Sequence, residues 1–405
     1  MDTKSGARRR DPLCGREHIK AAANFNSWWL LPFTILTASA LTAVSIIVFR
    51  PSFIDHVYAL EEFQQTASTN TSIDCSGPSA SDFSCYQKRY QDLVYNSGVQ
   101  AAFADLKDEF KKEQSVKEHC HELTHAIGRA AANLYSGDVA STYSQGDDFC
   151  ASGYYHGAME TIVANIGADK ILDEADNICA APRQQQNQSL NHRNCAHGIG
   201  HGLMGLYQNE LFEALEGCGA LTDEFERDQC SGGVFMENII DENNPSNPSK
   251  YLKADQPFYP CTEVKSEYKQ QCYTRHSEYA LKKQDNDFAK AFELCGKIED
   301  GFQKVCYVGL GNEAADQGTH YDTADGSQAE FIRGLCTQAQ NEEALSTCLT
   351  GAVTQLIFYY DSDEQAKALC KSLMSANLRS TCRQVSKEYM AKRQRGDSSW
   401  VRPSV

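Results

Sequence analysis

The hydrophobic pattern divides this chain into two parts. Residues 28–49 form an apolar run of 22 residues without a charge, which is long enough to cross a bilayer as one helix. Farther along, helix-type hydrophobic patterns alternate with short polar segments that are bounded by cysteines. The pattern therefore predicts one N-terminal transmembrane helix followed by an all-α domain.

The charges beside the apolar run predict its orientation. Residues 1–26 carry six Lys or Arg against three acidic residues, whereas acidic residues dominate just after Arg50. Because positive charge is retained on the cytoplasmic side of a membrane, we expect residues 28–49 to be a signal anchor in the lipid bilayer, with a cytoplasmic N-terminus. The remainder would be extracytoplasmic, at a cell surface, in a secretory lumen or in the periplasm. A cleaved signal peptide is the alternative, although its apolar core is normally about 7–15 residues long.

The same features predict five segments along the chain. They are a cytoplasmic tail (1–27), a transmembrane signal anchor (28–49), a Ser- and Thr-rich stalk (50–85), a helical-repeat ectodomain (86–392) and a flexible tail (393–405).

Cysteine spacing supports export and indicates an internal repeat. Of 17 cysteines only Cys14 precedes the apolar run, and the other 16 are an even number, as a disulfide framework requires. The last twelve form pairs whose first member recurs every 34 to 43 residues, which is typical of a solenoid of helical hairpins, each closed by a disulfide. The pairs are Cys179/Cys195, Cys218/Cys230, Cys261/Cys272, Cys295/Cys306, Cys336/Cys348 and Cys370/Cys382.

The four extracytoplasmic cysteines before these pairs allow three connectivities. We favour the two bonds between sequence neighbours, Cys75–Cys85 and Cys120–Cys150. Zinc coordination by the cysteines is the alternative, but CxxC knuckles are absent from the chain.

A glycine recurs three residues after the second cysteine of most units. A glycine inside a helix costs about 1 kcal/mol relative to alanine, so its recurrence predicts close approach of a neighbouring helix or of a ligand at this point. Arg275 and Val385 occupy the same register in two other units. The recurring glycines are Gly153, Gly198, Gly233, Gly309 and Gly351.

Charge excludes one class of partner. The net charge is −16, and because residues 1–26 carry +3, the remainder carries −19. No basic patch could neutralise phosphates, so nucleic acid is not an expected partner. Asn70 and Asn187 stand in Asn-X-Ser/Thr patterns, which predicts a glycoprotein if the organism is eukaryotic.

Ligand-type residues are concentrated in the first repeats, where seven of the eleven histidines lie between residues 119 and 201. Two histidine pairs have the four-residue spacing that puts both side chains on one helix face, and one histidine precedes a glutamate at the same spacing. This geometry suits a transition metal. The three combinations are His121/His125, His197/His201 and His156/Glu160.

The repeat register predicts which of these residues converge. Because neighbouring repeats place equivalent residues side by side, we expect His156 and His201 to approach each other, with Glu237 next in line. His119 and His192 lie outside the register and are candidates for a supporting or surface role. The three remaining extracytoplasmic histidines are expected to be structural hydrogen-bonding residues: His56, His276 and His320.

The segment His121-Glu122-Leu123-Thr124-His125 resembles the HExxH signature of zinc metallopeptidases. The resemblance covers five residues and implies that His121 and His125 bind zinc, while Glu122 polarises the attacking water. In one branch of that group a downstream glutamate completes the site, a role that would fall to Glu160 here. The candidate catalytic residues are therefore Glu122 and Glu160, and the candidate metal ligands are His121, His125, His156, His197, His201 and Glu237.

A second local resemblance is to helical-repeat hydroxylases that hold two irons between His-Glu motifs on successive hairpins. It is carried by His121-Glu122 followed by Ala126-Ile127-Gly128, although that family repeats the dipeptide and this chain has it once. This resemblance implies a cup of helices that supplies imidazoles and carboxylates to one or two metals. Ligand chemistry ranks zinc first and iron second.

These observations predict a membrane-anchored extracytoplasmic metal-binding protein that acts as a metal-dependent hydrolase or oxidoreductase. The alternative from a different class is a non-catalytic, disulfide-rich helical-repeat receptor or scaffold that binds a protein or a glycan. The sequence names no substrate and no protein partner.

Overall fold

The computed structural model describes residues 73–75, 83–185, 189–240, 242, 248–319, 321, 323–360, 362–395 and 397. The chain divides into two units, Met1–Asn70 and Thr71–Val405, and every described residue belongs to the second. The predicted cytoplasmic tail, the predicted anchor at 28–49 and the two glycosylation acceptors lie outside the described residues. Within those residues, no helix combines the length and the apolar character needed to cross a membrane.

The prediction of an all-α domain is confirmed, since the described residues form helices joined by turns and contain no β-strand. The described helices are α1 (Phe83–Ser97), α2 (Val99–Lys112), α3 (Gln114–Glu118), α4 (Cys120–Leu134), α5 (Val139–Tyr143), α6 (Gly153–Ile166), α7 (Ile171–Ile178), α8 (Ala180–Gln185), α9 (Leu190–Leu206), α10 (Leu211–Gly219), α11 (Glu224–Ile240), α12 (Ser266–Lys282), α13 (Phe288–Cys295), α14 (Gln303–Gly318), α15 (Ser327–Cys336), α16 (Glu342–Tyr360), α17 (Glu364–Ser372) and α18 (Ala376–Gln394).

The long helices pack in chain order. From α4 onward each packs against the next long one, through α6, α9, α11, α12, α14 and α16 to α18. Shorter helices such as α10, α13, α15 and α17 connect successive long helices and pack on both. Residues at equivalent positions of neighbouring long helices therefore come to lie side by side.

Eight disulfides join neighbouring elements of this stack. All six regular pairs are bonded as predicted, and so are Cys75–Cys85 and Cys120–Cys150. In most of the later units the bond ties a short helix to the long helix that follows it, as Cys218 of α10 is bonded to Cys230 of α11. Each bond closes a loop of the unfolded chain, which stabilises the folded state in the chain-entropy model.

The recurring glycines lie at close helix crossings, as one of the two readings of their register predicts. A Cβ atom added at any of the five would lie 2.0 to 2.6 Å from an atom of a neighbouring helix. At Gly233 that atom is the carbonyl oxygen of His197, at 2.0 Å. Because a side chain would hold the backbones apart, glycine is what permits α9 and α11 to touch here.

Candidate metal centre

Five histidine side chains from three successive long helices converge in one buried cluster. His121 and His125 come from α4, His156 from α6, and His197 and His201 from α9. The ring of His156 is central, since its centroid lies 4.5 to 5.4 Å from those of the other four. The side-by-side approach of His156 and His201 that the repeat register predicts is present, with stacked rings 4.5 Å apart.

Glycine contacts bring the histidine-bearing helices this close. A Cβ atom at Gly157 of α6 would lie 2.1 Å from the carbonyl oxygen of His125 on α4. In the reverse direction, a Cβ at Gly128 of α4 would lie 1.9 Å from the carbonyl oxygen of Tyr154 on α6. With the two backbones in contact, the imidazole of His156 reaches the pair that α4 presents on one face.

Two of the imidazoles have their tautomers set by acceptors. His121 Nδ1 lies 2.9 Å from the carbonyl oxygen of Cys150, which can only accept, so this nitrogen carries the proton. His125 Nδ1 lies 2.7 Å from Glu160 Oε1, and Glu160 Oε2 accepts a bond from Arg129 Nη1 at 2.8 Å. The Nε2 atoms of His121 and His125 then face each other at 3.1 Å. His121 presents a lone pair there, so this short approach requires a proton or a metal ion between the two nitrogens.

The carbonyl that orients His121 comes from an unusual turn. Cys150, Ala151 and Ser152 have φ angles of 57°, 56° and 64°, in the left-handed region that side chains disfavour by about 1–2 kcal/mol per residue. Cys150 is bonded to Cys120, the residue before His121. The disulfide and the start of α6 hold this turn in place, and backbone strain of this kind concentrates at functional sites.

On the other side of the cluster, His201 is held in the same manner. Its Nδ1 lies 2.6 Å from Glu237 Oε2 on α11, while its Nε2 is buried without a hydrogen-bond partner. His156 Nδ1 is likewise buried and unpartnered. Buried imidazole nitrogens without a partner are costly in a closed core, whereas they are what a metal site requires.

Burial sets the charge state of the cluster. It lowers the pKa of His201 to about 4, and together with the neighbouring His125 it lowers that of His121 to about 4. Burial, followed by the charge of His201, depresses the pKa of His156 and of His197 well below the usual value. These four imidazoles are therefore neutral at pH 7, and neutral imidazole is the form that binds metals.

The two carboxyl groups beside the cluster differ in ionisation. Burial acts to raise the pKa of Glu160, but His125 and Arg129 outweigh it and hold that pKa well below its usual value. Burial and the nearby Glu160 raise the pKa of Glu237 to about 7. Glu160 is thus a fixed anion that keeps the proton on His125 Nδ1, while Glu237 exchanges a proton near neutral pH.

Three groups in the cluster have ligand atoms within 4.8 Å of one another, which is compatible with a shared ion: His121/His125/His156, His156/His197/His201 and Glu160/His201/Glu237. A fourth such group, Cys261/Cys272/His276, is not a metal site, because the two cysteines are bonded to each other.

The candidate carboxylates occupy different places. Glu160 contacts Nδ1 of His125, and Glu237 contacts Nδ1 of His201. Residues that orient metal-binding histidines make contacts of this kind. Both glutamates also belong to the third group above, Glu160/His201/Glu237. Glu122 lies near enough to His121 for its charge to raise that pKa, but it is not among the residues that line the adjoining cavity. The general-base role that the HExxH resemblance implies for Glu122 stays a prediction.

The other described histidines have separate environments. His192 is buried and lies 2.6 Å from Glu226, which also pairs with Arg183. The ring of His119 packs against Phe83. His276 is buried and bonded to the carbonyl of Pro257, as expected for a structural residue.

A cavity of about 280 Å³ opens onto the cluster. His121, His156 and His197 form one part of its wall, and charged residues from α9, α12 and α14 line another part. Sequence reasoning missed these charged residues as site residues, although one signal was present, because Arg275 stands in the register of the recurring glycine. They are Arg193, Arg275, Glu278, Glu313 and Asp316.

No protein-family model matches this chain, and neither a curated protein nor a solved structure was found to be similar to it. The two local resemblances are therefore carried by the residues quoted for them, and function is inferred from the site.

Proposed function

We propose that this protein is a transition-metal enzyme whose ion or ions bind to the histidine cluster, with zinc as the first candidate and iron as the second. The observation that carries the proposal is the pair of Nε2 atoms of His121 and His125, which face each other 3.1 Å apart while their Nδ1 atoms are held by Cys150 and Glu160. Two nitrogens bound at about 2.1 Å to one tetrahedral ion would lie roughly 3.4 Å apart, close to this separation.

Hydrogen bonds behind the ligands support the same proposal. His125 and His201 each direct Nδ1 at a glutamate, on α6 and on α11. A carboxylate in this position raises the basicity of the imidazole and fixes its orientation toward a metal. We assign the ligand role to His121, His125, His156, His197 and His201, and the orienting role to Glu160 and Glu237.

The adjoining cavity supports catalysis over a purely structural metal site. Structural zinc sites are closed by four protein ligands, whereas catalytic sites keep a position open to water and substrate. Here His121, His156 and His197 face a cavity with room for a small molecule. A metal at this wall would activate water or dioxygen, so we propose hydrolytic or oxidative chemistry.

We further propose that the helical domain works outside the cytoplasm, behind the anchor predicted at residues 28–49. Eight disulfides within 73–397 support an oxidising compartment, because such bonds are rare in the cytosol.

The test is elemental analysis of the full chain, produced in an oxidising compartment and purified with the His121→Ala/His125→Ala variant. We expect one or two transition-metal ions per chain in the wild type and a loss of metal in the variant. His276→Gln is the matched control, since it alters a buried histidine outside the cluster and should leave the metal content unchanged. Absence of metal from the wild type, even after reconstitution with zinc or ferrous iron, would overturn the proposal and favour the receptor or scaffold alternative.

A further inference from the structure

Two arginine side chains line the cavity beside the histidine cluster. Arg193 lies on α9 and is only 6% exposed, and Arg275 lies on α12. Neither forms an ion pair with a described residue. A buried guanidinium is normally paired, because an unpaired buried charge is costly.

Most hydrogen-bonding capacity of the two guanidinium groups is unused. Arg193 donates one bond, from Nη1 to Asn194 Oδ1 at 3.2 Å, and lies over the ring of Phe358. Arg275 donates no bond to a described residue, and the Nε atoms of both arginines are buried without a partner. Arginine offers five donors in a planar fork that matches carboxylate and phosphate groups.

The repeat register shows that Arg275 is an exception in the architecture. Glycine occupies this register in five units, where it permits contact between helices. In α12 the same position carries a long cationic side chain that lines the cavity. In the other units glycine at this position permits close helix packing. In α12 the position instead carries a positive charge beside the cluster.

The arginines lie near each other and near the histidines. Burial and the charge of Arg275 lower the pKa of Arg193 to about 9. Arg275 also contributes to the depressed pKa of His197 and of His201. A divalent metal at the cluster would add further positive charge to this end of the cavity.

Acidic residues lie within electrostatic reach of both arginines without forming an ion pair with them: Asp148 and Asp228 near Arg193, and Glu278, Glu313 and Asp316 near Arg275. Glu278 is paired with Lys282 at 2.9 Å, and Asp316 accepts a hydrogen bond from Gln355 at 2.8 Å. Burial raises the pKa of Asp316 to about 6 and that of Glu313 well above its usual value. The two guanidinium groups therefore keep donors available beside carboxyl groups whose ionisation burial disfavours, and these donors suit one oxyanion.

We propose that Arg193 and Arg275 bind the anionic group, a carboxylate or a phosphate, of a small substrate, and that this contact positions the rest of the substrate at the metal. The catalytic role of this contact rests on the proposed metal site. The oxyanion itself would bind to the two arginines whether or not a metal is present. A cavity of about 280 Å³ limits the ligand to a small molecule.

The test is calorimetric titration of the full chain, metal-free and metal-loaded, with inorganic phosphate and with acetate as probes. We expect one saturable site for at least one probe in both forms. Binding of phosphate alone would indicate a phosphorylated substrate, and binding of acetate alone a carboxylic acid. Arg193→Met and Arg275→Met should each weaken binding about tenfold or more, since each removes charge-assisted hydrogen bonds.

Arg333→Met is the matched control, because Arg333 binds the carbonyl of Ser372 away from the cavity. It should leave oxyanion binding unchanged, and the metal content of all three variants should equal that of the wild type. Undiminished binding in both cavity variants, or no binding of either probe by any form, overturns the proposal. If the wild type holds no metal but binds the probe through these arginines, the oxyanion site stands and the proposed enzyme function fails.

Discussion

His276 lies on α12, apart from the other buried histidines, and shows what burial does to one imidazole. It has no exposed surface, Nδ1 is bonded to the carbonyl of Pro257 at 3.2 Å, and Nε2 lies 3.5 Å from Asn238 Nδ2. In the cluster the imidazoles pack against one another, and two of their buried nitrogens, His156 Nδ1 and His201 Nε2, have no hydrogen-bond partner. The chemistry of a histidine here depends on what its two nitrogens contact.

At the residue scale we predict a pH-dependent contribution of His276 to stability. Burial lowers its pKa to about 4, so between the unfolded value near pH 6.5 and pH 4 only the unfolded chain takes up a proton at this position. The free energy of unfolding should therefore decrease as the pH is lowered through this window, by up to about 1.4 kcal/mol per pH unit.

Denaturant unfolding of the wild type and His276→Gln at pH 7, 6 and 5 measures this contribution. His276→Gln is expected to be less stable at pH 7, and the gap should narrow as the pH falls. A gap that does not change with pH would contradict the assigned pKa.

At the element scale, α9 contains two glycines that differ in the room available for a Cβ atom. A Cβ atom at Gly200 would lie 2.0 Å from the carbonyl oxygen of Cys230, whereas a Cβ at Gly205 would meet nothing within 4 Å. The first glycine is required by the crossing with α11, and the second is merely an unfavourable helix residue.

We therefore expect opposite effects from the same substitution in one helix. Gly200→Ala should destabilise the protein by about 1–3 kcal/mol or more, because the added methyl group forces the two backbones apart. Gly205→Ala should be neutral or stabilise it by up to about 1 kcal/mol. Thermal unfolding of both variants decides the matter, and equal effects at the two positions would show that the crossing tolerates a side chain.

At the scale of the whole molecule, the hydrophobic core of the described residues consists of two clusters. The first extends from Cys75 to Val305 and surrounds the histidines, and the second extends from Leu281 to Tyr389. Because the helices pack in chain order, a disturbance at the C-terminal end should reach the proposed metal site weakly.

Removal of one disulfide from each end tests this separation. We expect Cys370→Ser/Cys382→Ser to lower stability by about 3 kcal/mol without changing the metal content. Cys120→Ser/Cys150→Ser should lower stability similarly and also release metal, because Cys150 supplies the carbonyl that orients His121. Elemental analysis with thermal unfolding separates the two effects, and equal metal content in both variants would count against the assigned role of the Cys150 turn.

Sequence alone determined the features that depend on local spacing. Regular cysteine pairs, the recurring glycine and the four-residue histidine spacing each reflect the geometry of a single helix or of the next unit, so they predicted the helices, six of the eight disulfides and the approach of His156 to His201. The repeat register also placed Glu237 beside them, where it contacts His201.

Only the tertiary structure decided which atoms meet. The Nε2 atoms of His121 and His125 face each other because the carbonyl of Cys150 and Glu160 hold the opposite nitrogens, and these two contacts join residues 29 and 35 positions apart. The cavity with Arg193 and Arg275 likewise forms between helices that are distant in the chain. Spacing along one helix carries no information about such contacts, because they depend on how far each backbone can approach the next.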